Sequence, residues 1–271
     1  MNTSALETPS PGSDRLYASG VFASAGCFLA WTASAASQWY DTAEFSAVGW
    51  WLSASHPPGH PLHATLSHGT GRLGLGDVAY RANLFSALCV AGALAVAYTV
   101  FRRLAPAVPR YAVAAAALAP AFMSSVWLQG ARAEVYGLQL LLTAVLARLC
   151  LEVARGDDAR NLPLLAGVFG LAGANHSYLG LLFVPLALWA MAVGRPRIRA
   201  VLWAAAAGLT TLLTYAYLPL RAGHGGEIGW GRVDSLQSFW ATLSGQAWST
   251  GLIPTPPDTG AWDHVGTLLG Y

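Results

Sequence analysis

Two acidic residues, Asp41 and Glu44, follow the first apolar segment of the chain and stand three positions apart. On a helix, this spacing places both carboxylates on one face. Neighbouring carboxylates can raise one another's pKa, and such a pair can act as a general base or bind a metal. The same pattern has the form of a capping box, in which Asp41 would only begin a helix. The spacing is compatible with both roles.

A turn rich in histidine and proline comes next, with His56 and His60 on either side of residues 57–59 (PPG). The prolines fix φ and exclude a helix, and the glycine permits a tight reversal. The turn either holds the two histidines at a site or only separates two helices. His63 and His68 follow, but no HExxH or comparable ligand pattern is present, so we expect no metal and no cofactor.

Further polar candidates lie in separate loops later in the chain, namely Arg132 with Glu134, Asn175 with His176, and Arg221. Arg132 and Glu134 could form a salt bridge, or Arg132 could bind the phosphate of an anionic lipid. A lone histidine such as His176 is more often a hydrogen-bonded interface residue than part of a site. The sequence alone leaves these alternatives open.

The elements that position these residues are predicted to be membrane helices. The chain of 271 residues is 55% hydrophobic and only 10% charged, whereas soluble domains carry about 25% charged residues. So few charges cannot cover a water-exposed surface, but they suit a polytopic bundle in lipid. The net charge of +2 gives no indication of nucleic-acid binding.

Hydropathy predicts about seven transmembrane helices. The predicted spans are 16–37, 82–101, 111–128 (interrupted at Pro120), 135–151, 162–174, 178–193 and 200–220. The fifth and sixth spans are predicted to form a hairpin about 175–177, with a single long helix as the alternative. We therefore expect a disordered cytoplasmic tail at 1–14, a membrane domain at 15–220 with a large loop at 38–81, and an extracytoplasmic segment at 221–271.

Arginine placement predicts the orientation. With a cytoplasmic amino terminus, the inside loops hold Arg102, Arg103, Arg110, Arg155, Arg160, Arg195, Arg197 and Arg199. The outside loops are longer, yet they hold only Arg72, Arg81, Arg132, Arg221 and Arg232. This asymmetry follows the positive-inside rule. Asp41, Glu44 and every histidine then lie on the outer face.

Taken together, several short segments resemble the domain-of-unknown-function 2723 family, which is similar to GT-C protein O-mannosyltransferases. The segments are 41–45 (DTAEF), 55–62 (SHPPGHPL), 78–84 (VAYRANL), 133–136 (AEVY), 175–176 (NH), 217–221 (YLPLR) and 230–231 (WG). The chain departs from the family pattern at Ala43, where glycine is usual, and at His60, where tyrosine is usual. It also lacks the later helices of such enzymes, which predicts a truncated or short member.

The resemblance implies an all-α, polytopic GT-C bundle in a bacterial inner membrane, with its active site on the periplasmic face. It implies transfer of a sugar, mannose, from a polyprenyl-phosphate carrier to an extracytoplasmic acceptor hydroxyl on a protein or glycan. Asp41 would be the catalytic base, with Glu44 beside it. The residues expected to bind substrate or carrier are His56, His60, Arg132, Glu134, Asn175, His176 and Arg221.

Two other functions are compatible with the sequence. The first is a non-catalytic membrane module that binds a lipid carrier or assembles with a partner. The second is a transporter, which would require ionisable groups in mid-membrane. The predicted spans contain almost none of these groups, so the transporter is the weaker alternative.

Overall fold

The computed structural model describes residues 11–221 and 233–246, and its regular elements there are helices, as the sequence predicts. They are α1 (Pro11–Thr32), α2 (Thr42–Trp51), α3 (Pro61–Gly71), α4 (Val78–Leu104), α5 (Arg110–Leu118), α6 (Ser124–Ala131), α7 (Val135–Ala154), α8 (Asp158–Asn175), α9 (Ser177–Leu181), α10 (Val184–Gly194), α11 (Ile198–Thr211), α12 (Tyr217–Arg221) and α13 (Leu236–Leu243). Two 3₁₀ turns, Ala119–Phe122 and Leu212–Ala216, connect neighbouring helices.

The predicted tail and the predicted last segment lie partly outside the residues that the structure describes. Residues 1–10 of the predicted tail lie outside the described residues, and α1 already begins at Pro11. Residues 222–232 and 247–271 of the predicted last segment, including the 230–231 motif, also lie outside them. The described part of that segment contains α13, which begins with a capping box between Ser235 and Ser238.

Four helical stretches are long and apolar enough to cross a membrane: Val78–Leu104, Val135–Ala154, Ser177–Gly194 and Ile198–Arg221. A fifth would be the pair Arg110–Phe122 and Ser124–Ala131, which is bent by 72°. Pro120 lies in the 3₁₀ turn just before this bend. Proline lacks the N–H group that would continue an α-helix, so the helix ends there. The predicted interruption of this segment is confirmed.

The other two predicted spans, α1 and α8, are not among the helices that are apolar enough to cross. Helix α1 has 22 residues but is rich in serine and glycine and carries Asp14. Helix α8 has 18 residues, a polar first turn and Pro163 in its interior. The described residues thus contain four or five candidate spans, and the count of about seven stays a prediction.

The chain breaks at His176, between α8 and α9, as the hairpin interpretation predicts. His176 is extended, with φ −154° and ψ 102°. Helix α10 then returns to the end of α7, where the backbone of Gly194 packs against Val153 and Ala154. The alternative of one long helix is therefore wrong.

Helix α4 packs between α1 and α7. On one side Val90 and Leu94 join a buried cluster with Val21 and Leu29 of α1. On the other side Phe85 and Cys89 join a second cluster, with α7 residues such as Leu138 and Leu142. The later helices leave large apolar side chains exposed, among them Leu188, Trp189, Leu202, Trp203 and Leu209. Lipid tails are the natural neighbours for such a surface.

The predicted loop at 38–81 contains two short helices, α2 and α3, which cover one end of α4 and α7. Phe45 of α2 is 1% exposed and packs with Ala82, Ala133 and Val135. This contact anchors α2 to the starts of α4 and α7. We call this end of the bundle, formed by α2, α3 and the starts of α4 and α7, the site end.

Candidate functional site

Asp41 and Glu44 do not form the capping box that their spacing permits. Asp41 occupies the position before α2, but its side chain accepts no capping hydrogen bond. The carboxylate of Glu44 turns instead to His56. One oxygen accepts the backbone N–H of His56 at 2.5 Å, and the other lies 2.9 Å from its Nδ1. The capping-box interpretation is therefore wrong, and Glu44 holds His56.

The pairing with Glu44 determines the protonation of His56. A carboxylate only accepts hydrogen bonds, so the Nδ1 of His56 carries the proton. Burial alone would lower the pKa of His56, but the hydrogen bond and charge of Glu44 act in the opposite direction. The carboxylates of Asp41 and Glu134 add to this effect, and the pKa of His56 is raised. Protonated His56 is thus favoured among these acidic groups.

Arg132 and Glu134 lie in the extended segment between α6 and α7, with Nη2 of Arg132 3.8 Å from Oε1 of Glu134. The residues are 8% and 3% exposed. The guanidinium also lies 5.6 Å from the ring centroid of Tyr40. Its Nε and Nη1 atoms are buried and have no hydrogen-bond partner among the described residues. Buried N–H groups of this kind require an acceptor, and a phosphate oxygen would supply one.

Glu134 completes a cluster of charged groups at the site end. Burial raises the pKa of Glu134 to about 7; the charge of Arg132 opposes this rise, and the charge of Asp41 adds to it. Since Glu134 also interacts electrostatically with His56 and Glu44, five of the predicted residues are neighbours. We call Asp41, Glu44, His56, Arg132 and Glu134 the Asp41 cluster.

His60 is held beside this cluster by Asn175. The Nδ1 of His60 donates to the backbone oxygen of Asn175 at 2.6 Å. The side-chain amide of Asn175 donates to Val135 and Gln139, each at 3.0 Å. Burial lowers the pKa of His60 to about 3, so the ring is neutral and its Nε2 is an acceptor. The ring of His176 lies 5.4 Å from that of His60, and burial lowers its pKa too.

Arg221 reaches the site end in another role. Its Nε donates to the backbone oxygen of Leu52 at 2.7 Å, and its Nη2 donates to that of Trp51 at 2.9 Å. These bonds fasten α12 to the end of α2. Two of the N–H donors of Arg221 are thus used within the protein, whereas Arg132 keeps unpaired donors.

The turn between the histidines is as tight as its sequence predicts. The N–H of Gly59 donates to the backbone oxygen of His56 at 2.8 Å, and Pro57-Pro58 is a cis peptide. Gly59 has a φ of +93°, and a Cβ there would lie 2.5 Å from Leu218. Glycine is therefore required on both conformational and steric grounds. The turn leads directly to His60, which precedes α3 with a φ of +40°.

Some site residues escape prediction from the sequence. Asn83 is fully buried in α4; its Oδ1 accepts the N–H of Ala133 at 2.6 Å, and its Nδ2 donates to Ser34 at 2.8 Å. His63 is 1% exposed, and neither ring nitrogen has a hydrogen-bond partner within 11–221 and 233–246. Burial lowers its pKa to about 4. An asparagine inside an apolar helix is the signal that could have identified Asn83.

Three members of the cluster could also hold a cation. Asp41, Glu44 and His56 each offer a ligand atom, and these atoms lie within 4.8 Å of one another. However, both oxygens of Glu44 already bind His56. A metal there would have to share these oxygens with His56, and the expectation of a metal-free site stays a prediction.

The chain matches the family model described as Protein O-mannosyl-transferase TMEM260 N-terminal domain over residues 41–200. No curated protein and no solved structure gave a match. The matched stretch begins at Asp41 and contains the whole Asp41 cluster, together with His60, Asn175 and His176. It covers more than half of the 271 residues. The chain therefore belongs to the family of the protein O-mannosyl-transferase TMEM260 N-terminal domain.

Proposed function

We propose that the chain transfers mannose from a polyprenyl-phosphate carrier to a serine or threonine hydroxyl of an extracytoplasmic protein, with inversion at the sugar. The family supports the sugar and the acceptor class. One observation at the site end carries the proposal. The carboxylate of Asp41, which caps no helix, interacts with a Glu134–Arg132 pair whose guanidinium has buried, unpaired donors.

Asp41 is the general base of this mechanism. Its carboxylate takes the proton from the acceptor hydroxyl while the hydroxyl oxygen attacks the anomeric carbon of the sugar. The bond between that carbon and the carrier phosphate oxygen breaks, and the electron pair leaves with the polyprenyl phosphate. The free role of Asp41 is supported by the pairing of the other two carboxylates of the cluster, since Glu44 binds His56 and Glu134 pairs with Arg132. Among the described residues, the Asp41 side chain makes no capping hydrogen bond.

Arg132 receives the phosphate. Its unpaired Nε and Nη1 are the donors that would hydrogen-bond two phosphate oxygens and neutralise the charge that develops as the carrier leaves. Arg221, the other arginine expected to bind carrier, already donates to two backbone oxygens. We therefore assign the phosphate to Arg132 and a structural role to Arg221.

The remaining residues shape the site. Glu44 is a positioning residue, because it fixes both the backbone and the ring of His56. The rings of neutral His60 and His176 lie 5.4 Å apart, and His60, whose Nδ1 is hydrogen-bonded to Asn175, keeps Nε2 as an acceptor nitrogen. Sugars are bound by such ring faces and acceptors. Asn175 contributes by holding His60 in place.

The proposed architecture is a GT-C bundle in which α1 and α8 also cross the membrane. Both pack against other helices, and helices surrounded by protein can be less apolar than those facing lipid. With the amino terminus inside, the site end faces the periplasm of a bacterial cell. The excess of arginines in the loops at the other end supports this orientation.

Exchange of Asp41 for asparagine is the direct test. In a transfer assay with polyprenyl-phosphate mannose and a periplasmic acceptor, Asp41→Asn should lower kcat by a factor of about 10² to 10⁴. Asp77→Asn is the matched control, because Asp77 caps α4 and asparagine caps equally well. Full activity of Asp41→Asn would exclude the proposed base.

The same assay distinguishes the non-catalytic alternative. A carrier-binding module would bind polyprenyl phosphate without turnover, and its affinity would not change in Asp41→Asn. A transferase should bind the carrier in both forms and should turn it over only when Asp41 is present.

A further inference from the structure

A cavity with several charged residues in its walls lies at the opposite end of the helices that build the site. It has a volume of about 540 Å³ and is formed by the start of α1 and the later turns of α4 and α7. This is within the range of roughly 300–1,000 Å³ typical of small-molecule sites. Its charged and polar walls are formed by Asp14, Arg15, Tyr98, Arg102, Arg103 and Arg148. We call this region the arginine end.

The distance from the site end is set by α4. Asn83, near the Asp41 cluster, and Arg102, at the cavity, are nineteen residues apart on this helix, which corresponds to roughly 28 Å. The hydrocarbon core of a bilayer is about 30 Å thick. The cavity is therefore separate from the proposed transferase site, and the two lie at opposite membrane interfaces.

Carboxylates do not balance the positive charge of this cavity. Asp14 is shared by Arg102 at 3.2 Å and Arg110 at 3.0 Å. Glu152 is shared by Arg103 and Arg148. Each carboxylate thus faces two guanidinium groups, and an excess of positive charge remains for an added anion.

Two more arginines increase this excess. Arg155 donates to the backbone oxygen of Arg103 at 2.9 Å, which places its charge at the same end. Arg15 is exposed at the cavity and makes no hydrogen bond or ion pair within the part of the chain that the structure describes. The positive-inside rule accounts for arginines in this region. It does not account for their convergence from three helices around one cavity.

Apolar groups also line the cavity, among them Ala18 and Pro106. Leu16 and Leu104, next in sequence to Arg15 and Arg103, are 73% and 62% exposed. A ligand here would thus meet both guanidinium groups and apolar groups. An anionic phospholipid has groups suited to both, a phosphate head group and acyl chains.

We propose that the arginine end is a binding site for a phosphate group, carried by the head group of an anionic phospholipid in the inner leaflet. The guanidinium groups of Arg15, Arg103 and Arg148 supply planar donors suited to phosphate oxygens. Arg102 adds positive charge, but it already donates to Asp14 and to the backbone oxygens of Pro106 and Val108. The site would anchor α1 to α4 and α7 through the lipid. This proposal is independent of the proposed catalysis.

The test is binding of phosphatidylglycerol to the full chain in neutral detergent, measured by native mass spectrometry against phosphatidylcholine. Arg15→Gln and Arg148→Gln should each weaken phosphatidylglycerol binding about fivefold. Arg199→Gln is the matched control, since Arg199 is an exposed arginine at the start of α11, away from the cavity. Arg15→Gln removes no hydrogen bond or ion pair of the described residues, so misfolding would not explain a loss of phosphatidylglycerol binding in this variant.

Equal losses in all three variants, or no loss in any, would overturn the proposal, because the attraction would then be a general effect of charge. A competition arm identifies the source of the phosphate. Displacement of phosphatidylglycerol by millimolar inorganic phosphate would show that the phosphate group suffices. Retention of the lipid against inorganic phosphate would show that the acyl chains contribute, as the apolar groups of the cavity predict.

Discussion

The two ends of α4 and α7 differ in how their buried arginines are paired. At the site end, the side chains of Arg132 and Glu134 are 9% and 4% exposed, and two donors of Arg132 have no partner among the described residues. At the arginine end, the side chain of Arg102 is also 9% exposed, but it donates to Asp14, which is 31% exposed, and to the backbone oxygen of Val108. Burying an incompletely paired charge costs far more free energy than leaving a shared one near water. The comparison indicates that the site end is maintained at a cost in stability, as functional sites commonly are.

Among the changes that test this comparison between the two ends, the loss of Arg132 should have the largest effect on carrier binding. In Arg132→Gln we expect binding of polyprenyl phosphate to weaken on the order of a hundredfold, because the buried donors disappear. Arg132→Lys, which keeps the charge without the planar donors, should recover only part of this affinity. Arg199→Gln, measured in parallel by carrier-binding titration, should bind as wild type. Unchanged carrier affinity in Arg132→Gln would remove Arg132 from the site.

A smaller effect is expected from Glu44→Gln. Without the carboxylate, burial and the remaining charges alone set the pKa of His56, so this pKa should fall. We expect kcat to decrease about tenfold while KM changes little, because Glu44 positions His56 rather than binding substrate. An NMR titration of the histidine ring checks the pKa. A His56 titration identical to that of wild type would show that Glu44 does not hold the ring.

The third prediction concerns stability as a function of pH. The folded-state pKa of Glu134 is about 7, above the ordinary 4.5, so the folded state binds the proton more tightly than the unfolded state. Its contribution to stability is therefore present below pH 4.5 and is lost as pH rises to 7. Glu134→Gln should remove this loss and should be more stable than wild type above pH 7, by up to about 3 kcal/mol.

Thermal unfolding of both proteins at pH 5 and pH 8 provides the measurement. The difference in stability between wild type and Glu134→Gln isolates Glu134, because His60 is present in both proteins. The contribution of His60 to stability changes with pH in the opposite direction. The pKa of His60 falls from 6.5 to about 3 on folding, so its contribution is lost as pH falls below 6.5 in both proteins. A difference in stability that does not change between the two pH values would contradict the assignment.

The smallest effect is expected at the arginine end. Asp14→Asn removes the carboxylate shared by Arg102 and Arg110, but the Asp14 side chain is 31% exposed, so water can replace it. We expect a loss below about 1 kcal/mol in the free energy of unfolding. A much larger loss in the free energy of unfolding, about 3 kcal/mol or more as for a buried ion pair, would show that the charges at the arginine end are not stabilised by water.

Local sequence was sufficient to predict the helical class and the main irregularities of the chain. Pro120 indicated the bend near the middle, and the polar residues 175–177 indicated the break at His176. These features depend on a few adjacent residues, which explains why they are visible without a structure. Hydropathy could not decide whether α1 and α8 cross the membrane. Both helices are polar, and a helix packed among other helices can cross a membrane while being less apolar than one that faces lipid.

Partnerships across the chain could not be predicted in the same way. The spacing of Asp41 and Glu44 suggested a capping box, but Glu44 binds His56, twelve residues away. The role of Arg221 depends on a contact with Leu52 that is distant in sequence. Of the arginines at the arginine end, Arg102 and Arg103 were predicted only as loop charges, because their convergence with Arg15 and Arg148 requires the packing of α1, α4 and α7.

The link between Arg221 and the end of α2 has a mechanical consequence. Asp41 stands at one end of this ten-residue helix, which is about 15 Å long. Arg221 donates hydrogen bonds to the carbonyl oxygens of Trp51 and Leu52 at the other end. Because a helix is stiff, the bonds of Arg221 at one end and the packing of Phe45 near the other together fix the orientation of α2. The backbone of Asp41 is thereby held at its end of the helix by contacts that its own side chain does not make.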